Sequence, residues 1–203
     1  MHSPGPGEHV LDVETLWLSS ELPRGWGDQH RMRVSCCVVH DLTSGKELVF
    51  AIDDVPGTAS VEMLYHFLEA CRSEGCTLVG HNLRAFDWAV LAGEFEARGL
   101  IADHRGWHPA RARLVDTLAT LHARLGWRPS LQSLALHNLG EGKSLDGSLA
   151  PQLWRQGRRA EVVAYCRRDV DLTRRVWQKG REHGEVVVGV GADGAEQRVA
   201  VAW

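Results

Sequence analysis

Residues 10–18 (VLDVETLWL) are β-rich and alternate in polarity, a pattern that predicts a strand with one face toward a core. Side chains two apart share a face of a strand, so Asp12 and Glu14 lie side by side while Leu11 and Val13 point the other way. Paired carboxylates are costly unless a cation neutralises them, and hard cations such as Mg²⁺ or Mn²⁺ choose oxygen ligands. The alternative is an edge strand whose acids face water, so the pair needs corroboration.

The segments that follow this strand predict an α/β fold. Two further strands are expected at residues 33–40 and 47–52, joined by a turn at residues 43–45. An amphipathic helix over residues 61–73 then leads to a short buried strand at residues 77–80. The order β-β-β-α-β is typical of a sheet that carries helices on its faces.

Helices dominate the second half of the chain. They are predicted over residues 86–98, 115–125, 130–138 and 159–181, and a C-terminal hairpin is predicted over residues 185–203. Residues 1–8, as a flexible N-terminal tail, and residues 101–113 look loosely ordered. Residues 9–203 are therefore expected to form one α/β domain of ordinary size.

A second motif lies at residues 80–87 (GHNLRAFD), where a buried strand runs into a helix. Asp87 falls in the first helical turn, where an acid can simply interact with the helix dipole. Strand ends that face helix starts are also where open α/β sheets bind ligands, and Asn82 adds an amide that can contact substrate or orient a carboxylate. Both interpretations of Asp87 stay open from this motif alone.

A third motif lies inside the long helix, where Tyr165 and Asp169 are four residues apart and so share a face. If Asp169 binds a metal ion, the Tyr165 hydroxyl is placed to orient a water for attack on a phosphate. The alternative for Asp169 is a surface acid paired with arginine. The ordered set of three motifs is more specific than any one of them.

Together the motifs LDVET, GHNLRAFD and YCRRDVDLT resemble the DEDDy branch of the DEDD 3′→5′ exonucleases, close to the bacterial YprB-like group. The resemblance covers residues 11–173 and also includes VDTLATL and SLQSLALHNLGEGKSLDG. It implies a ribonuclease H-like mixed β-sheet with helices on both faces. No ligand position departs from the family pattern. Ala164 stands five residues before Asp169, where the DEDDh branch would need a histidine, so a histidine base is disfavoured.

The resemblance also implies the roles of individual residues. Two divalent ions, Mg²⁺ or Mn²⁺, would be held by four carboxylates, and Tyr165 would position the attacking water. Thr15 and Leu16 would meet the terminal nucleotide, and Asn82 would contact substrate near the scissile phosphate. The implied metal ligands are Asp12, Glu14, Asp87 and Asp169.

Charge is distributed unevenly along the chain, although the net charge is only −3. Residues 1–100 carry 7 basic and 15 acidic side chains, whereas residues 101–203 carry 16 basic and 11 acidic side chains. Within the second half, residues 155–181 alone carry nine basic and three acidic residues. An acidic half can supply metal ligands and a basic half can attract a polyanion, although such clusters are often only solvated faces. We therefore expect a path for single-stranded nucleic acid, with Arg105 on phosphates and Trp107 stacked on a base, unless Trp107 folds onto the body.

Several other classes of protein are disfavoured by composition. The five cysteines and eleven histidines match no zinc-binding spacing, so reduced, mostly buried thiols are expected. No apolar run approaches the roughly 20 residues that span a bilayer, and the first residues lack a signal-peptide core, which favours a cytoplasmic protein without a membrane partner.

The expected substrate is therefore the 3′ end of single-stranded DNA or RNA, and a helicase or another nucleic-acid-processing protein is the candidate partner. Two alternatives stay open on the same fold. One is a module that binds nucleic acid or protein without cutting, and the other is an endonuclease.

Overall fold

A computed structural model describes residues 7–53, 55–142 and 147–203 of the chain. The central sheet has six strands, in the order β4-β3-β2-β1-β5-β6. Its strands are β1 (Glu8–Thr15), β2 (Val34–Asp41), β3 (Glu47–Ala51), β4 (Ala59–Ser60), β5 (Thr77–Gly80) and β6 (Arg113–Asp116). Strands β1, β2 and β3 pair antiparallel, whereas β1 with β5, β5 with β6 and β3 with β4 pair parallel. This mixed α/β sheet confirms the ribonuclease H-like fold class.

Six α-helices accompany the sheet in the described residues. They are α1 (Val61–Glu74), α2 (Asp87–Ala97), α3 (Thr117–Leu125), α4 (Leu131–Leu139), α5 (Ala150–Arg155) and α6 (Arg159–His183). Leu11 and Val13 of β1 pack in one core with residues of α1 and α2, while Val10 packs in a second core with residues of α5 and α6. The alternation of β1 therefore places helices on both faces of the sheet, as predicted. Within the described residues, no helix combines the length and apolar character that crossing a membrane requires.

The first strand is shorter than the predicted one at its C-terminal end. Its pairing with β2 shifts register between Glu14 and Thr15. Beyond that point the backbone N–H groups of Leu16 and Trp17 donate to Met32 and Arg33 carbonyls, so residues 16–18 leave the ladder. The strand thus ends just after its second carboxylate. At its other end, Glu8 already belongs to β1, and residues 1–6 of the predicted tail lie outside the described residues.

Two further predictions need correction. Residues 115–116 belong to β6 and not to the helix predicted at 115–125, because Val115 pairs with Val79 and Asp116 caps α3 through the Ala119 N–H. Residues 101–113 are not a loose loop, because Trp107 anchors them in the core. The predicted turn at residues 43–45 and the C-terminal hairpin, β7 (Glu185–Val190) with β8 (Glu196–Ala200), are confirmed.

A 3-10 segment, Gly25–Arg31, was not predicted and lies directly against α2. The two backbones approach closely at Gly93, where an added Cβ would lie 1.7 Å from the His30 carbonyl oxygen. Only glycine fits this contact without a shift of the backbone. The segment carries Trp26, so its position matters for the site described below.

A buried ion-pair cluster ties α2 to the start of β2. Glu94 is fully buried and accepts from Arg33 Nε at 2.6 Å, from Arg98 Nε at 2.6 Å and from the Val34 N–H at 3.2 Å. Burial alone would raise the pKa of Glu94, but the hydrogen bonds and charges of the two arginines outweigh it and hold the pKa below its usual value. The carboxylate is therefore ionised in the folded protein.

Replacing Glu94 with glutamine is expected to lower the free energy of unfolding by about 2–4 kcal/mol at pH 7, because it leaves two partly exposed arginines without their carboxylate. A carboxyl whose pKa is depressed by folding stabilises above its unfolded pKa, and that contribution is lost as pH falls through the folded pKa. The difference in free energy of unfolding between wild type and variant should therefore shrink as the pH falls below 4.5, the ordinary pKa of a glutamate side chain. Urea titrations from pH 7 to pH 3 measure it, with the exposed Glu182→Gln as control. An equal loss in both variants would contradict this role.

Candidate active site

The two carboxylates of β1 lie on the face of the sheet that α6 covers. Asp12 and Glu14 alternate with the core residues Leu11 and Val13, and each offers an oxygen within 4.8 Å of the other and of an oxygen of Asp169. We call these three acids the carboxylate cluster. Glu14 and Asp169 are buried and Asp12 is half-buried, so the cluster opens to solvent mainly on the side of Asp12.

Helix α6 brings Tyr165 and Asp169 to this place on one face, one turn apart. Tyr165 is buried and makes a hydrogen bond with Asp169. Between them, the Cys166 thiol donates to the backbone oxygen of Asp12 at 3.3 Å and lies 3.5 Å from its Oδ2, which fixes α6 against β1. Burial, together with the negative charges of Asp169, Glu14 and Asp12, raises the pKa of the Tyr165 phenol, so the hydroxyl stays protonated.

Asp87 adjoins the carboxylate cluster from the other side of β1. It is the first residue of α2, is buried, and accepts the Val13 N–H at 3.0 Å, so it contacts the strand between the two β1 acids. Burial and the charge of Asp12 raise its pKa well above the usual range. Its oxygens are not among those that lie within 4.8 Å of one another in the cluster. The four predicted ligands therefore comprise a tight group of three and one neighbour.

Asp116 is a site-building residue that the sequence analysis missed. It is buried at the end of β6, and its carboxylate accepts the N–H groups of Asn82, Arg84 and Ala119. It therefore holds the turn that precedes Asp87, in which Asn82 adopts a positive φ of 73°. An aspartate directly before a helix is the signal that could have revealed it, because N-cap positions favour this residue.

A cleft of about 400 Å³ opens beside the carboxylate cluster. Besides the three acids and Tyr165, it has apolar and hydroxyl groups along its walls. Two tryptophans reach it from outside the core, Trp26 at 63% and Trp17 at 42% exposure. Its remaining lining residues are Val13, Thr15, Leu18, Ser19, Ser20, Met32, Phe86, Gly147 and Ser148.

Of the three predicted substrate contacts on β1 and at the second motif, one lines the cleft and two do not. Thr15 lines the cleft and donates its hydroxyl to the Trp17 carbonyl at 2.9 Å. Leu16 instead packs against the core beneath α6, and its carbonyl accepts from Arg155. The Asn82 side-chain oxygen accepts from Arg128 at 2.6 Å, outside the residues that line the cleft.

Trp107 does not present a face for a base to stack on. Its ring is 5% exposed and stacks on Trp88 with centroids 4.2 Å apart, and its indole N–H donates to Glu69 at 2.7 Å. The alternative of a ring folded onto the body is therefore the observed one. Arg105 is exposed in a short 3-10 turn of the same loop and does not line the cleft. The exposed tryptophans beside the carboxylates are Trp17 and Trp26.

The basic residues of segment 155–181 are largely neutralised by acids. Eight of the nine lie within 4.0 Å of a carboxylate oxygen, and Lys179 donates to the Asn138 carbonyl. These arginines are Arg155, Arg158, Arg159, Arg167, Arg168, Arg174, Arg175 and Arg181. The segment is therefore a salt-bridged helix surface and not the open cationic path that its composition indicated.

Comparison with known proteins adds evidence on the fold. No protein-family model matches the chain, and no curated protein is significantly similar to it. Among solved structures, the family B DNA polymerase from the hyperthermophilic archaeon Pyrobaculum calidifontis is similar, with a TM-score of 0.63 and 19% identity. The match covers 88% of this chain and 25% of the polymerase chain, so this chain spans about a quarter of that protein. The likeness shows a shared fold.

Proposed function

We propose that this protein is a metal-dependent 3′→5′ exonuclease that hydrolyses phosphodiester bonds of single-stranded DNA or RNA and releases nucleoside monophosphates. The observation that carries the proposal is the carboxylate cluster, whose oxygens lie within 4.8 Å of one another beside Tyr165 in an open cleft. Like charges this close are unfavourable without cations, so the arrangement favours metal binding over a structural role.

The donor set fits two hard divalent cations, Mg²⁺ or Mn²⁺. All the candidate ligands are carboxylate oxygens, and four acids balance the charge of two dications. Asp12, Glu14 and Asp169 would hold the ions, with Asp87 as the fourth acid from the N-terminus of α2. When bound, a pair of such ions stabilises the attacking and leaving oxygens of a phosphodiester during in-line displacement.

Tyr165 is suited to orient reactants and not to remove a proton. Since burial and three neighbouring acids raise its pKa, the phenol remains a hydrogen-bond donor and acceptor at neutral pH. Its hydrogen bond with Asp169 fixes the ring beside the carboxylate cluster. A neutral hydroxyl in this position can align an attacking water with the scissile phosphate.

The chemistry of the cleft also supports a nucleic-acid strand as the substrate. Trp17 and Trp26 expose aromatic surface beside the carboxylates, and base–aromatic stacking tolerates any sequence. The guanidinium of Arg155 lies 5.2 Å from the Trp17 ring at the rim, where it also pairs with Glu21. The similar solved structure is that of a DNA polymerase, which agrees with a nucleic-acid substrate.

A degradation assay tests the function. A 5′-labelled single strand should shorten one nucleotide at a time in Mg²⁺ or Mn²⁺, a 3′-labelled strand should release labelled mononucleotide at once, and EDTA should stop both. Circular single strands should stay intact, since only an endonuclease opens them. A protein that shifts the strand in a gel but never shortens it, with either metal and with DNA or RNA, is a binding module and not a nuclease.

Replacing Trp26 with alanine is expected to raise KM for single strands about tenfold with little change in kcat, because one base–aromatic stack contributes about 1–3 kcal/mol. Initial rates over a range of strand concentrations measure the effect. Trp127→Ala is the matched control, since Trp127 is also exposed but does not line the cleft. Equal KM values for the two variants would remove Trp26 from the substrate path.

A further inference from the structure

A second group of metal-binding side chains lies at the beginning of β1. His9 of β1, Cys71 in the last turn of α1 and Cys76 just before β5 each offer one ligand atom, and these atoms lie within 4.8 Å of one another. All three side chains are buried, His9 at 7% exposure and both cysteines at 3%. We propose that this group, here called the His-Cys-Cys cluster, is a structural zinc site.

The ligand types select zinc over the cations expected at the carboxylates. Thiolate and imidazole are preferred by a borderline-soft ion, whereas Mg²⁺ requires oxygen. In a tetrahedral zinc site, bond lengths of about 2.0–2.3 Å place neighbouring ligand atoms roughly 3.5–4 Å apart. The three atoms therefore need only small shifts to bind one ion.

His9 supplies an observation that is independent of the clustering. Its Nδ1 is buried, and no group of the described residues gives it a hydrogen bond. Buried ring nitrogens normally have a partner, and a metal ion is one that protein coordinates alone do not contain.

The backbone brings the three ligands together without distortion. Gly75 ends α1 with a φ of 81°, and the Cys76 N–H donates to the Cys71 carbonyl at 3.0 Å, so the two cysteines face each other across the helix end. His9 pairs with Leu78 in the β1–β5 ladder, two residues after Cys76. Glu74 lies between the two cysteines in sequence but is not among the residues whose ligand atoms lie within 4.8 Å of one another, so it would have to move to take the fourth position, which water can also fill.

An ion at the His-Cys-Cys cluster would stabilise the strand that carries the catalytic acids. It would link the start of β1 to the end of α1 and the start of β5, on the face of β1 opposite to Asp12 and Glu14. Because the cluster does not line the cleft, its loss should reduce stability far more than it changes the chemical step.

Cobalt titration of the reduced, metal-free protein tests the proposal, with excess Mg²⁺ present to occupy the carboxylates. One equivalent of Co²⁺ should give thiolate-to-cobalt charge-transfer absorption, which carboxylate ligands cannot produce, and one equivalent of Zn²⁺ should remove it. Zinc should also raise Tm by about 5 °C or more. The wild-type titration decides the matter even if a variant fails to fold.

Cysteine variants assign the ligands. Cys71→Ala and Cys76→Ala should each lose the charge-transfer band, and Cys37→Ala, a buried cysteine of the same core outside the cluster, should keep it. The proposal is overturned if wild type shows no band. It is also overturned if the band survives in both cluster variants.

Discussion

Asp12→Asn is expected to reduce the rate of strand shortening by about a thousandfold or more, because it would remove a charged ligand from the proposed metal site, which has to stabilise a multiply negative transition state. Asp12 is the most solvent-accessible member of the carboxylate cluster and the one whose charge acts on Asp87. Initial rates at saturating Mg²⁺ and Mn²⁺ measure the loss. A variant with undiminished turnover would rule out this site.

The same substitution should not destabilise the metal-free protein. Folding raises the pKa of Asp87, so this carboxyl takes up a proton when the protein folds. Stability therefore falls as the pH rises from 3.8, the ordinary pKa of an aspartate, through the pKa of Asp87 in the folded protein. Asp12→Asn removes one cause of the raised pKa of Asp87. In EDTA at pH 8, Tm of the variant should equal or exceed that of wild type, and the fall of Tm with pH should be shallower.

Glu8→Gln serves as the matched control for Asp12→Asn. Glu8 is an acid at the opposite end of the same strand, where it pairs with Arg181 on the surface. The control should keep wild-type activity, and its loss of stability should stay within the roughly 0–1 kcal/mol typical of an exposed ion pair. Equal losses of activity in both variants would point to damage to β1 and not to a lost metal ligand.

Tyr165→Phe is expected to lower kcat about a hundredfold with little change in KM, because it would remove the hydroxyl that we propose orients the attacking water and would leave the ring in place. The buried hydroxyl's partner Asp169 stays beside the cluster, so metal binding should persist. Single-turnover rates at saturating enzyme measure the effect on the chemical step.

Tyr65→Phe is the natural control, since the chain contains only two tyrosines. Tyr65 lies on α1 and packs edge-on against Phe95, away from the cleft. It should keep full activity. If Tyr165→Phe retained the wild-type kcat, the phenol would have no part in catalysis, and a role for the carboxylates alone would be the remaining explanation.

Sequence alone could predict the parts of the site that depend on local geometry. Alternation along a strand placed Asp12 beside Glu14, and helical spacing placed Tyr165 beside Asp169. That the three motifs would meet in space was predicted only from the resemblance to an exonuclease family and from the fold that this resemblance implied. The strand order places β1 beside β5, and α6 packs against β1, an arrangement that no spacing within one motif specifies.

The structural features that the sequence did not predict depend on contacts between residues far apart in the chain. Composition marked residues 155–181 as a cationic path, but their arginines pair with acids such as Glu21, Asp53 and Glu141. The sequence left open whether Trp107 stacks on a base or folds onto the body, and only its stack on Trp88, a residue of the preceding helix, decides for the body. The His-Cys-Cys cluster escaped zinc-spacing rules because its histidine lies on β1, far before the two cysteines, which stand at the end of α1 and just before β5.

The glycine contact between α2 and the segment Gly25–Arg31 has a mechanical consequence. Helix α2 begins with Asp87, and the segment seated on it at Gly93 carries Trp26. Any tilt of that helix would displace an acid and an aromatic ring in concert. In the proposed exonuclease, the position of a ring that would stack on a base and the position of a candidate metal ligand would therefore change together.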